Sequence, residues 1–383
     1  MKVPVIGVGG KHNAEPTANP YRWYSPRCWH GMRTGDWLRL LRDNHFRIAP
    51  TRWGLASPVS IATLVNSVLH RCQQVCLGRR IAATELVADP IFIIGHWRSG
   101  TTLLHELMVQ DDRFTFANTY ACFAPTHFVF SRPLIVPWLR FLLPAVRPMD
   151  NMRFGWDRPP EDEFALLAMG LPSPYESLAF PNQIRPGLAR FDDGSWTPAD
   201  RQRWKDQLVW FLKCITYGDP RQIVLKSPPH TRRVKTLLEV FPGARFVHIV
   251  REPYSLFAST VRLWQSLTAN QGLQVPTHAD LEESVLAGLE QMYVALGAQA
   301  HEIDRSRYVE IRYEDLVVDP PSVMRRIYDS LGLGGFESYL PRLTAYWDGV
   351  ADYQARQYDV DPGTRRKIAQ RWGRFFAPYG YSI

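Results

Sequence analysis

The sequence predicts an α/β fold, a P-loop-like parallel sheet flanked by helices, with an N-terminal helical extension and a long irregular insert. Three observations predict it. Four short β-branched runs, IFIIG (91–95), QIVLK (222–226), RFVHIV (245–250) and YVEIR (308–312), are each followed by a helical or loop segment, the pattern of a parallel sheet with crossovers. The first run passes through a loop bounded by Gly95 and Gly100 straight into helical sequence. A chain of 383 residues, 45% of them hydrophobic, can also bury a substantial core.

Residues 1–89 read as a helical, aromatic- and Arg-rich extension packed on the main domain. Trp23, Trp29 and Trp37 stand among basic residues, and a helical pattern follows from about Ser57 to Leu86. At Pro90 the texture changes to strand and helix alternation, so the main domain is placed at 90–383. Between its first two strands lies an insert, residues 111–220, with the Pro-rich stretches RPLIVPWLRFLLPAVRP and DRPPEDEFALLAMGLPSP. An insert of this length at the carboxyl end of a sheet is expected to build an acceptor pocket or a lid. There is no internal repeat and no low-complexity tract.

Lys and Arg total 45 against 37 Asp and Glu, a formal charge of +8 that favours anionic ligands or surfaces without choosing among them. The five cysteines (Cys28, Cys72, Cys76, Cys122, Cys214) form no CxxC pair, and no metal site is expected at the close pair Cys72 and Cys76; they read as reduced thiols. The N-terminus has too short an apolar run for a secretory signal, and no run of about 18 apolar residues appears. The expectation is a cytoplasmic protein, with contact at a membrane face left open.

Residues 95–102, GHWRSGTT, fit the phosphate-loop pattern GxxxxGK[ST] everywhere except at Thr101, which replaces the lysine. The backbone N–H groups of such a loop converge on a helix N-terminus, where the macrodipole also favours an anion. Ser99, Thr101 and Thr102 add hydroxyl donors, and Arg98 adds a fork of charged donors. In nucleoside-triphosphate enzymes the loop lysine reaches the β- and γ-phosphates and the next hydroxyl holds Mg²⁺. Loss of that lysine argues against a triphosphate donor. A donor with a terminal sulfuryl group carries less charge at the transferring centre, so cationic side chains suffice there, and the loop points to sulfuryl transfer.

Four motifs in order, WRSGTT, VLKSPPH, IVREPYSLFAST and EIRYEDLVVDP, make residues 90–332 resemble the sulfotransferases that use 3′-phosphoadenosine 5′-phosphosulfate (PAPS), in particular the bacterial branch with RSGTT loops. The resemblance implies that Arg98, Ser99, Gly100, Thr101 and Thr102 bind the 5′-phosphosulfate. It places Lys226 near the transferring sulfuryl group, where Arg98 and Lys226 are expected to assist in-line transfer, Arg251 and Ser259 on the 3′-phosphate, and Tyr313 near the adenine. It implies PAPS as co-substrate, adenosine 3′,5′-bisphosphate as product, and no metal. The chain departs from the cytosolic branch at Leu103, where that branch has a tryptophan that stacks on adenine, and at Pro228, where it has its catalytic histidine. Its basic C-terminal segment is matched only loosely by GTRRKIAQRW, which makes Arg365, Arg366 and Lys367 candidates for the 3′-phosphate.

With Pro228 at the histidine position, the general base must come from elsewhere, and PPEDEFALLAMG in the insert offers Glu161 and Glu163. Residues two apart on a helix face different ways, so one of the two is expected to act. Glu163 is preferred, because Glu161 holds the first-turn position where a carboxylate serves the helix dipole. With Asp162 between them, the carboxylates are expected to raise one another's pKa. His230 and His105 are the rival bases.

Residues 133–146, PLIVPWLRFLLPAV, are bracketed by Arg132 and Arg147 with Arg140 inside, and suit a core helix, an interfacial membrane contact or a pocket wall. With the N-terminal Trp and Arg cluster they favour a hydrophobic or lipid-linked hydroxyl acceptor. Two other classes compete. An ATP-dependent kinase with a degenerate loop needs Mg²⁺, yet no strand-end aspartate is firmly placed to hold it. A non-catalytic protein binding a membrane or an anion needs only the basic, aromatic face; no nucleic-acid motif is present.

Overall fold

The computed structural model describes residues 25–139, 155–183, 195–349 and 360–381. Five parallel strands form one sheet: β1 (Ile91–Ile94), β2 (Phe114–Thr115), β3 (Gln222–Lys226), β4 (Arg245–Val250) and β5 (Tyr308–Arg312), in the order β2-β3-β1-β4-β5. Four of these are the runs visible in the sequence. The fifth, β2, has two residues and no periodicity to read.

Successive residues of β1 serve opposite faces, as a pleated strand requires. Ile91 and Ile93 pack with Val224, Val247 and Ile249 on one side, against α3 (Thr101–Met108), α12 (Pro320–Ser330) and α13 (Phe336–Asp348). Phe92 and Ile94 pack with Leu225 and Phe246 on the other, against α7 (Pro198–Gly218) and α8 (Val234–Val240). Helices on both faces explain why the inner strands are almost wholly apolar. The chain leaves β1 toward β2 and β3 on one side, then crosses to β4 on the other. The crevice beside β1, at the carboxyl ends of the strands, is therefore the switch point where such sheets take ligands.

The remaining helices complete the layers. Helices α1 (Thr34–Asp43) and α2 (Trp53–Ala82) form the N-terminal part, and α4 (Thr119–Phe123), α5 (Phe128–Leu139) and α6 (Glu163–Ala168) lie in the insert. Helices α9 (Pro253–Gln271), α10 (Leu281–Gln299), α11 (Tyr313–Val318) and α14 (Pro362–Phe376) follow the later strands. The N-terminal part shares a core with them: Trp29, Trp37, Leu40 and Val59 cluster with Phe257 and Trp264 of α9 and Trp372 of α14. Trp29 Nε1 also donates to the Gln271 carbonyl at 2.7 Å.

Toward its ends helix α2 buries the apolar Ala56, Val59 and Ile81, but along its middle it turns polar side chains inward and apolar ones outward. Thr63, Asn66 and Gln73 are buried, whereas Ile61, Leu64, Val65, Val68 and Val75 are exposed. Hydrogen bonds offset the cost of burying amides. Asn66 Nδ2 donates to the Met32 carbonyl at 2.9 Å, and Gln73 Nε2 donates to the Thr126 carbonyl at 3.1 Å while its Oε1 accepts the Phe130 N–H at 3.1 Å. The helix begins at Trp53, before the expected Ser57, and runs through Pro58.

Of the apolar stretch 133–146, residues 133–139 belong to α5; the rest, with Arg140 and Arg147, and likewise Trp23, lie outside the described residues. Ile135 and Val136 pack on the core while Leu134 and Trp138 are exposed. All five cysteines are free thiols, and burial pushes that of Cys214 up to about 12.

Candidate active site

The loop between β1 and α3 turns on three residues with positive φ: Gly95 (146°), Arg98 (69°) and Gly100 (103°). Two of them must be glycine for lack of space as well as for φ. A Cβ on Gly95 would stand 2.5 Å from the Ile249 carbonyl oxygen, and one on Gly100 would stand 2.3 Å from Tyr313 Cδ2. Thr231 fastens the start of the loop, its Oγ1 accepting the Gly95 N–H at 2.8 Å. Ser99 Oγ is buried with no partner, a hydroxyl held ready for a ligand's acceptor atoms. Narrow loop, helix N-terminus and orphaned hydroxyl together fit a phosphate-sized anion.

Four of the residues expected to bind the donor converge here from β4, α9, α11 and the loop itself. Arg98 Nε donates to Ser259 Oγ at 2.9 Å, and Arg251 Nη1 donates to the Arg98 carbonyl at 3.0 Å. The Arg251 guanidinium lies 4.5 Å above the Tyr313 ring. Neither nearby carboxylate claims Arg251: Glu252 caps α9 by accepting the Tyr254 and Ser255 N–H groups, and Glu314 accepts the Glu252 N–H. Arg98 thus reaches toward the Ser259 side of the loop and joins Arg251 there. Thr101 is buried and Thr102 half-buried at the start of α3.

Arg365, in the first turn of α14, stacks 4.5 Å from the ring of Tyr254, which opens α9 two residues after Glu252. That puts it beside the same helix N-terminus. Arg366 and Lys367 are exposed on the next positions.

On the other side of the loop, the register of β1 and β3 sets Lys226 opposite Ile93, so Lys226 ends its strand beside the point where the loop begins. Its side chain is buried, and its Nζ lies 3.2 Å from Glu161 Oε1. Glu161 also accepts a short hydrogen bond from the Tyr175 hydroxyl, which in turn accepts from Trp97 Nε1 at 2.7 Å. Trp97 belongs to the loop. The carboxylate is therefore wired to the phosphate loop through Tyr175 and Trp97, and it keeps some solvent exposure (16%) where Lys226 is buried.

The other candidate bases are placed differently from expectation. Glu163 is fully buried with both oxygens on Arg233, at 2.7 and 3.2 Å, and Arg233 itself sits between the rings of Trp196 and Trp204. It presents no oxygen to an acceptor. His230 Nε2 meets Asp162 Oδ2 at 2.6 Å with both side chains buried. His105 is buried against the Val224 carbonyl, and burial with the nearby Lys226 charge lowers its pKa to about 3. The three acidic residues 161–163 thus pair one by one with Lys226, His230 and Arg233. Asp162, between the two glutamates, is held by its own partner. Burial pushes that carboxyl up, but the contact with His230 outweighs it and holds the group below its usual range.

Sequence reasoning missed Tyr175, Trp97, Thr231 and Arg233. Thr231 and Arg233 lie in the visible motif KSPPHTRR, and a cation there with an acidic PPEDE segment elsewhere was a readable sign of pairing. Tyr175 carried no signal. Among the described residues no group of three or more His, Cys, Asp or Glu side chains is gathered to hold a metal ion.

A model of the sulfotransferase family matches residues 90–338. Two omega-hydroxy-beta-dihydromenaquinone-9 sulfotransferases, from Mycobacterium bovis and Mycobacterium tuberculosis, are each 41% identical over 359 residues, covering 94% of this chain and 92% of theirs. Among solved structures, sulfotransferase STF9 from Mycobacterium avium is similar at a TM-score of 0.66 and 18% identity, over 92% of this chain and 98% of that one. Sulfotransferase STF1 from Mycobacterium tuberculosis is similar at a TM-score of 0.62 and 17% identity, over 92% of this chain and 94% of its own. At those identities the two structures speak for the parallel-sheet fold.

Proposed function

The chain belongs to the sulfotransferase family, and from that premise we propose that it moves a sulfuryl group from PAPS to a hydroxyl on a hydrophobic or lipid-linked acceptor, with Glu161 as the base. One observation carries this reading. The loop gathers two separate cationic sites, Arg98 with Arg251 and Ser259 on one side and Lys226 on the other, and beside Lys226 stands Glu161, a carboxylate that keeps some exposure. A donor with two phosphate groups and one transferable sulfuryl matches that division.

The donor supplies a sulfuryl group on a phosphate leaving group. The chain's residues do the rest. Arg98, expected on the 5′-phosphosulfate, in this reading joins Arg251 and Ser259 in holding the 3′-phosphate, because its side chain is bonded to Ser259 and its carbonyl to Arg251, with Tyr313 against the adenine and Arg365 as a further cation. Loop N–H groups and the hydroxyls of Ser99, Thr101 and Thr102 hold the 5′-phosphate. Lys226 stabilises charge on the oxygen that leaves. Glu161 accepts the acceptor's hydroxyl proton as the new O–S bond forms and the S–O bond to phosphate breaks. Its link through Tyr175 to Trp97 fixes its position relative to the loop.

The acceptor class rests on the 41% identical relatives, which are omega-hydroxy-beta-dihydromenaquinone-9 sulfotransferases. The insert, residues 111–220, supplies the acceptor pocket or lid in this reading. The test is calorimetric titration with adenosine 3′,5′-bisphosphate beside ATP with Mg²⁺, then transfer assays with hydroxylated prenyl quinones beside free sugars. Metal-free binding of the bisphosphate that is lost in Arg251→Ala supports the donor assignment. Binding of ATP with Mg²⁺ alone overturns it, and transfer to sugars but not to lipophilic alcohols overturns the acceptor.

A further inference from the structure

Helix α2 turns a continuous apolar stripe outward. At 3.6 residues per turn, Trp53, Ile61, Leu64, Val65, Val68 and Val75 fall within an arc of about 120° along a helix about 45 Å long. They are no marginal exposures: Ile61 is 65%, Val68 62% and Val75 86% accessible. Helix α5, which packs against α2, adds the exposed Leu134 and Trp138. Monomeric soluble proteins seldom leave so extended an apolar face without a partner. The inner face explains why it cannot simply be turned inward, because Asn66 and Gln73 hold the helix to the body by hydrogen bonds.

The charge pattern identifies the partner. From Asn44 to Thr84 the chain has no Asp or Glu but five arginines, Arg47, Arg52, Arg71, Arg79 and Arg80. Arg71 and Arg79 fall within the arc of the stripe, toward its C-terminal end, and Arg71, Arg79 and Arg80 are exposed. An apolar stripe with cations and without carboxylates is the composition of a helix that lies in the interface of an anionic bilayer. A second copy of the same face would bring arginines to arginines with no carboxylate on this helix to pair with them. Among the described residues no helix is long and apolar enough to cross a membrane, so contact would be at the surface.

We propose that the outer face of α2, with Leu134 and Trp138 of α5, docks on an anionic lipid surface. This goes beyond the transfer reaction and holds whatever hydroxyl is the acceptor. The test is sedimentation of the full chain with phosphatidylglycerol vesicles and with phosphatidylcholine vesicles, without donor or acceptor. Preferential, salt-sensitive binding to phosphatidylglycerol is expected. Leu64→Glu with Val68→Glu should weaken it by at least about 10-fold, and Arg71→Glu with Arg79→Glu should remove the preference for anionic lipid. Because all four side chains are exposed, both variants should melt with the wild type and still bind adenosine 3′,5′-bisphosphate, which separates this test from that of the donor site. Wild-type protein that stays in the supernatant overturns the proposal, as does binding that neither variant changes. So does a dimer seen by light scattering that Leu64→Glu with Val68→Glu dissociates, since the occupant is then a second copy.

Discussion

Glu161 and Glu163 are two residues apart, yet their surroundings differ sharply. Both oxygens of Glu163 are spent on a fully buried Arg233, whereas Glu161 shares Lys226 and Tyr175 at the rim of the loop. Glu161→Gln should therefore cut kcat by roughly 10²- to 10⁴-fold while the affinity for adenosine 3′,5′-bisphosphate is kept. Glu163→Gln should leave an unpaired buried guanidinium and cost about 3–5 kcal/mol of stability. Steady-state kinetics and urea unfolding of both variants check this. A stable but inactive Glu163→Gln enzyme beside an active Glu161→Gln enzyme would reverse the assignment. The donor site gives a second prediction at this scale. In the proposed donor site Arg98 and Arg251 hold the 3′-phosphate by charge-assisted contacts of the kind worth about 1.5–3 kcal/mol, so on that proposal alanine at either should weaken bisphosphate binding roughly 10- to 100-fold by calorimetry. The preference for Glu163 in the sequence rested on position within a helix alone. Its partner lies 70 residues further along the chain, and one-dimensional spacing carries no trace of that contact.

At the scale of elements, the stretch from β1 through its loop into α3 was the most legible part of the chain, because glycine placement there is dictated locally. Gly95 and Gly100 are required by positive φ and by contact with Ile249 and Tyr313. Gly100→Ala should accordingly destabilise the protein by about 1–3 kcal/mol and abolish bisphosphate binding by displacing Tyr313. Gly54 in α2 is the control, since a Cβ there meets nothing within 4 Å and Gly54→Ala should be neutral or stabilising by up to about 1 kcal/mol. Equal effects of the two, in thermal unfolding, would mean that the loop tolerates a side chain and that its geometry is not the donor cradle. Other elements were legible only in part. Strand β2 is too short to show alternation. The helical pattern of α2 was visible, but which face it buries was not, because periodicity reports that a stripe exists and not the side on which the protein lies. Here the amides face inward, satisfied by the Met32 and Thr126 carbonyls and the Phe130 N–H, contacts that no window of local sequence contains.

Across the whole molecule, several histidines are buried as neutral rings, and this couples folding to pH. Burial lowers His30, His96 and His127 to about 4 and, with the Lys226 charge, His105 to about 3, all from an ordinary value of 6.5. Below pH 6.5 the unfolded chain takes up protons that the folded chain refuses. Stability is thus complete above that pH and is lost as pH falls toward 4. Carboxylates held low in the fold, such as Glu310 at about 2, weaken the protein only when their unfolded counterparts protonate, at lower pH. The window between is the histidines' own. Urea unfolding from about pH 7 down to pH 5 should show a steady decline in stability, each buried histidine contributing a slope of up to about 1.4 kcal/mol per pH unit. His127→Gln, which keeps a polar group beside Ser131 and Asn66, should remove about one such increment. A stability flat across this range would mean that these rings take up protons within the fold, and the dry packing of His96 between the loop and Trp372 would have to be abandoned.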